Sequence, residues 1–209
     1  MTAALLIVDV QNDFLPGGAL AAPRGDEVIP VIASLTPAFP LVFATQDWHP
    51  ADHGSFAANH PGKEPGDQID LHGLPQTLWP VHCVQGEMGA QLAEGIDSAS
   101  IRFISRKGKD PTVDSYSGFF DNGRRAATDL HAALQEAGVD TLYVCGLATE
   151  YCVKFTALDA VSLGYRTLVV EDACRGLDEL GVQAAWAELE EAGAKRVSSD
   201  QVLAELAGN

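Results

Sequence analysis

Apolar positions along this chain fall into short continuous runs separated by longer stretches of helical period. Ala3–Val8 (AALLIV), Leu41–Thr45 (LVFAT), Ile101–Ser105 (IRFIS), Leu142–Val144 and Thr167–Glu171 (TLVVE) are the runs that predict strands. A continuous apolar run such as the first suits a central strand covered on both faces. Helices are predicted over Asp26 to about Phe39, Met88–Glu94, Arg125–Ala137 and Asp178–Ala192. Another helix follows Gly146, with Val153, Phe155, Leu158 and Val161 recurring near the 3.6 period. A weak strand at Arg196–Val197 and a helix over Asp200–Leu206 finish the chain. Strand–helix alternation predicts a three-layer α/β/α fold around a mostly parallel central sheet of about six strands. Ligands in such sheets bind at the carboxyl ends of the strands.

One segment breaks the pattern. Gln46–Gln85 is rich in Gly and Pro, shows little helical or strand period, and holds five of the six histidines. Loops this long inside a compact domain are uncommon and usually functional.

Composition narrows the classes. The 209 residues suit one domain, 1–209, with the long loop at about 46–87 as part of it. A net charge of −16 argues against nucleic acid and anionic membranes as partners. No apolar run approaches the roughly 20 residues of a membrane span. Met1–Val8 lacks the basic flank of a signal peptide. Four cysteines without paired or metal-knuckle spacing fit a reducing cytoplasm. The partner expected is a small molecule, and the pattern leaves monomer or homo-oligomer open.

Three reactive side chains sit just beyond different predicted strands: Asp9, Lys107 and Cys152. Cys152 falls near the start of a helix, where free N–H groups and the dipole favour a thiolate. Asp9 can take the thiol proton if burial raises its pKa, and the Lys107 ammonium can stabilise the thiolate. Asp47-x-His49 projects two ligands to one side of an extended chain, and His82 is a plausible third. Such a set fits one divalent metal ion, with zinc ahead of iron or manganese. His53 and Asp52 are open as further ligands or supporting groups, whereas His60, His72, His131 and Cys83 read as structural. Backbone N–H groups around Gly146–Glu150 can receive an oxyanion. Phe14, Trp48, Trp79, Tyr116 and Tyr151 supply flat walls for a ring substrate.

The ordered set VDVQNDF, TQDWHP, LWPVHCVQ, RKG, YSGF, CGLATEYCV and EDACRG resembles the nicotinamidase branch of the isochorismatase-like cysteine hydrolase superfamily. The resemblance runs from Leu5 to about Gly176. It implies hydrolysis of nicotinamide to nicotinate and ammonia, in NAD salvage, through a cysteine thioester. It assigns Cys152 as nucleophile, Asp9 as the proton-transfer carboxylate and Lys107 as the third catalytic member. Asp47, His49 and His82 match the metal ligands. Phe14 and Trp79 match the residues sandwiching the ring, and Tyr116 lines the pocket. Leu147–Ala148 matches a cis peptide whose turn forms the oxyanion hole with the Cys152 N–H. Another cysteine amidase acting on a carboxamide such as pyrazinamide is the alternative within the superfamily. A non-catalytic metal or small-molecule binding module is the alternative outside it.

Overall fold

A computed structural model describes residues 2–208; Met1 and Asn209 lie outside the described residues. Its main sheet contains β1 (Ala3–Val8), β2 (Val42–Asp47), β5 (Phe103–Lys107), β6 (Thr141–Leu147), β7 (Arg166–Arg175) and β8 (Lys195–Val197). The strand order is β5-β2-β1-β6-β7-β8, and every pairing in this sheet is parallel. Every residue of β6 is buried, as its uninterrupted apolar sequence requires.

From β1 the chain steps outward to β2 and β5, then returns to lay β6 on the other side of β1. Right-handed crossovers stepping in opposite directions place their helices on opposite faces. Accordingly α1 (Val28–Leu35) and α5 (Ser199–Ala207) pack together, as do α3 (Lys154–Ser162) and α4 (Glu179–Ala192), while α2 (Leu130–Glu136) packs on β5. The strand ends on either side of β1 therefore diverge, opening a crevice at the carboxyl ends of β1 and β6.

Gly146 lets those two strands close up. Its φ is +122°, and a Cβ there would lie 2.0 Å from the Val8 carbonyl oxygen. No side chain fits between β6 and β1 at this point.

Several sequence expectations are corrected. Met88–Glu94 is not a helix: only Met88–Ala90 makes a single 3₁₀ turn. Side chains from the β1 loop claim its carbonyls, with Asn12 Nδ2 donating to Met88 O (2.8 Å) and Gln11 Nε2 to Ala90 O (2.9 Å). The Arg125–Ala137 helix begins only at Leu130, because the Asp121 carboxylate accepts the Arg125 and Ala126 N–H groups and holds a turn. The long loop carries an antiparallel hairpin of β3 (Gln68–Leu71) and β4 (Leu74–Thr77). No helix among the described residues is long and apolar enough to cross a membrane.

Candidate active site

Parallel register brings the reactive groups together. Asp47, the last residue of β2, pairs with Lys107, the last of β5, while Val8 pairs with Gly146 just before the Cys152 turn. Asp9 follows β1 in a left-handed conformation (φ +47°) that a short polar side chain tolerates. Residues Thr149–Val153 form a π-turn ahead of α3, and Cys152 lies within it.

Lys107 is fully buried and its three N–H groups are all engaged. Nζ donates to Asp47 Oδ1 (2.6 Å), to Ser115 O (2.8 Å) and to Cys152 Sγ (3.4 Å). Asp9 Oδ2 stands 2.8 Å from the same ammonium as a buried ion pair. Asp9 Oδ1 is occupied, accepting from Thr45 Oγ1 at 2.6 Å. One carboxylate oxygen is thus pinned by Thr45, and the other lies between the Lys107 ammonium and the thiol. Ligand atoms of Asp9 and Cys152 lie within 4.8 Å of each other.

The electrostatics differ from the expectation of a dipole-stabilised thiolate. Burial pushes the Cys152 thiol well up; the Lys107 charge opposes this and the Asp9 charge adds to it. Burial also raises Asp9, against the pull of Lys107. A neutral thiol beside a carboxylate of raised basicity is a donor–acceptor pair ready for proton transfer.

Asp47 joins this triad to a second cluster. Oδ1 holds Lys107, while Oδ2 faces His49 Nε2 (3.4 Å) and His82 Nε2 (3.8 Å). Burial would raise the Asp47 carboxyl, but the Lys107 and His49 charges outweigh it and hold it well below the usual carboxylate range. The ring Nδ1 atoms of His49 and His82 lie 2.9 Å from Gly108 O and 2.8 Å from Pro80 O. A carbonyl only accepts, so Nδ1 of each ring carries the proton and Nε2 points into the cluster. Burial, helped by the His49 charge, lowers His82 to about 4, so its ring is neutral near pH 7. Burial would lower His49 too, but Asp47 overcomes it and the ring titrates above its ordinary value. Two imidazoles and a carboxylate, with ligand atoms within 4.8 Å of one another, fit a divalent metal ion.

Tight backbone packing aims both rings. A Cβ on Gly108 would lie 2.4 Å from His49 Cε1, so only glycine lets the Gly108 carbonyl reach the ring. Substituting Gly108→Ala is expected to weaken metal affinity about 10–100-fold, measured by titration with zinc, as other losses of ligand-orienting contacts do. Unchanged affinity would contradict this role. For His82, the Cys83 N–H donates to Asp13 Oδ2 (2.7 Å) and holds Cys83 at φ +47°.

A cleft of about 380 Å³, mouth included, opens onto this arrangement. Its walls include Phe14, Trp79, Tyr116, Ala148, Tyr151 and Cys152, together with Asp47 and His82. Tyr151 and Trp79 meet edge to face at 5.0 Å, and Trp79 Nε1–H donates to the Tyr116 hydroxyl at 3.3 Å. Asp9, Lys107 and His49 lie behind the wall rather than in it. Leu147 is fully buried in the core, so only its peptide, cis to Ala148, belongs to the site. Asp52 is exposed and joins neither cluster. His53 is buried with its ring 4.4 Å from that of His49 and its Nδ1 2.7 Å from Ser55 Oγ. Asp114, Leu20 and Leu177 also line the cleft, and sequence reasoning missed them. Asp114 stands directly before the Ser115–Phe119 motif; nothing local marks the two leucines.

The sequence matches the isochorismatase domain family over residues 3–201. The chain belongs to the isochorismatase family. Within that family, the nicotinamidase of Escherichia coli (strain K12) is 51% identical over 191 residues, covering 90% of this chain and 89% of the relative. The structure of the Acinetobacter baumanii nicotinamidase/pyrazinamidase superposes with a TM-score of 0.93 at 46% identity, covering 96% of this chain and 98% of that one. The family's pyrazinamidase from Pyrococcus horikoshii, solved in complex with zinc, has a TM-score of 0.79 at 37% identity, covering 95% and 99%.

Proposed function

We propose that this protein is a nicotinamidase, hydrolysing nicotinamide to nicotinate and ammonia in NAD salvage, with all residues of the site on one domain. The observation that carries the reading is the buried Asp9–Lys107–Cys152 cluster behind an aromatic cleft whose lining includes Asp47 and His82.

The aromatic faces of Phe14, Trp79, Tyr116 and Tyr151 hold the pyridine ring, with the carboxamide over Cys152. Asp9 Oδ2 takes the thiol proton as sulfur attacks the amide carbon, and the Lys107 ammonium stabilises the sulfur as it gains charge. Ala148 O accepts from the Tyr151 and Val153 N–H groups, whose neighbour in the turn is the Cys152 N–H. That N–H and the Ala148 N–H serve as donors to the tetrahedral oxyanion. Asp9 then returns its proton to the amide nitrogen, the C–N bond breaks and ammonia leaves. Water, deprotonated by the same carboxylate, cleaves the thioester to nicotinate and restores the thiol. Asp47, His49 and His82 would hold a zinc ion, which when bound offers the ring nitrogen a Lewis-acid partner that orients the substrate. A thiol that must stay reduced to act belongs in the reducing cytoplasm.

Ammonia release from nicotinamide by the purified protein tests the reading. Turnover is expected to fall at least about tenfold on chelation and to return with zinc. A folded, zinc-loaded sample that releases ammonia from pyrazinamide but not from nicotinamide would replace the substrate. Silence towards both would overturn the activity.

A further inference from the structure

A carboxylate that the proposed reaction does not use ties the nucleophile's turn to a wall of the cleft. Glu150, two residues before Cys152 in the π-turn, is only 7% exposed. Its Oε1 accepts the N–H of Leu177 at 2.7 Å and of Asp178 at 2.8 Å, in the segment joining β7 to α4. Leu177 lines the cleft beside Tyr151 and Cys152. Asp178 caps the start of α4, its Oδ2 accepting the Gly181 N–H at 2.7 Å. One oxygen therefore fixes both the wall residue and the cap behind it.

The surroundings are shaped to this carboxylate. A Cβ at Gly176 would lie 2.4 Å from Glu150 Oε2, and one at Gly181 would lie 3.2 Å from Glu150 Cγ. Oε2 itself is buried with no hydrogen-bond partner. A buried carboxylate with an unpartnered oxygen is a poor device for stability, since an apolar side chain would avoid the desolvation cost. What it provides is a fixed position for two backbone N–H groups, and through them for the Leu177 side chain.

We propose that Glu150 is a positioning residue for substrate selection. Acting through Leu177, it sets the clearance between the cleft wall and the substrate ring and so disfavours ring amides bulkier than nicotinamide. This rests on nicotinamide being the substrate.

The test compares nicotinamide with a ring-methylated nicotinamide in wild type, Glu150→Ala, Glu150→Gln and Leu177→Ala, with backbone hydrogen exchange alongside. Glu150→Ala is expected to raise KM for nicotinamide about tenfold, with kcat much less affected, and to narrow the preference over the methylated amide about tenfold. Exchange at the Leu177 and Asp178 amides is expected to quicken by a similar factor. Glu150→Gln keeps an acceptor oxygen and is expected to restore the preference. Leu177→Ala is expected to narrow it as Glu150→Ala does, and the double variant to add little. Should Glu150→Ala fail to fold, Glu150→Asp, one methylene short, is expected to show the same changes at smaller size. Equal loss of kcat on both amides with the preference intact would overturn the proposal, as would unchanged exchange at Leu177 and Asp178. Exchange needs no turnover. A wild type inactive on nicotinamide would therefore sink the proposed reaction, and the exchange comparison would still decide whether Glu150 holds Leu177.

Discussion

Cys152→Ala is expected to lower nicotinamide hydrolysis by at least about 10⁴-fold while leaving zinc affinity within about twofold of wild type. The separation follows from the layout. Sγ receives a hydrogen bond from Lys107 and faces Asp9, whereas the ligand cluster is made by Asp47, His49 and His82. Removing the sulfur deletes the atom that forms the thioester and leaves both imidazoles anchored on their backbone carbonyls. Ammonia release and metal content measured on the same sample decide the matter. Activity within about tenfold of wild type, with the metal in place, would mean that hydrolysis proceeds by direct attack of water and that the thiol is packing.

Lys107→Met is expected to cost about 3–5 kcal/mol of stability at neutral pH, besides abolishing activity. The ammonium is fully buried between Asp9 and Asp47 and, among the described residues, is the one cation touching both. Methionine nearly matches its volume, so the loss is electrostatic: two buried carboxylates face each other unpaired. The pH dependence carries the sign. In wild type, Asp47 has a folded pKa below its unfolded 3.8, so its contribution is present above that value and is lost as pH falls through the folded pKa. Without Lys107 the folded pKa rises above the unfolded one, the folded state binds more protons, and the variant gains stability as pH falls. Urea unfolding at pH 7 and near pH 4.5 is therefore expected to show the gap between the proteins shrinking on acidification. Adding Asp47→Asn to Lys107→Met is expected to recover part of the loss. A gap independent of pH would mean that packing, not charge, holds Lys107 in place.

Much of the sheet was legible because strands buried on both faces are written as plain apolar runs, as in Ala3–Val8 and Leu142–Val144. Chemistry at strand ends was legible for the same reason: where those runs end, Asp9, Asp47 and Lys107 follow within two residues. The helices were less so. Met88–Glu94 has helical composition, but Gln11 and Asn12, more than 70 residues away in sequence, take its carbonyls. The β3–β4 hairpin escaped notice because Pro75 interrupts the second strand and only Leu71 and Gln76 bury fully. At the site, residue types were readable but their protonation was not. Proximity to a helix start argues for a thiolate, yet the burial of Cys152, visible only in three dimensions, argues more strongly for a thiol. Leu177 and its tie to Glu150 were equally hidden, since nothing in the spacing between positions 150 and 177 records that the β7 loop folds back over the turn.

The placement of β6 beside β1 also governs the order in which this molecule can mature. During synthesis β1, β2 and β5 emerge first, and one edge of β1 has no partner until Thr141–Leu147 has been made. The nascent chain thus carries an open, wholly apolar strand edge until that strand is made, the kind of surface that chaperones cover. Insertion of β6 closes that edge and, in the same movement, carries the Cys152 turn to Asp9 and Lys107. Sealing of the sheet's centre and arming of the thiol are one event, so a half-built chain holds no primed nucleophile to react with the cell's metabolites.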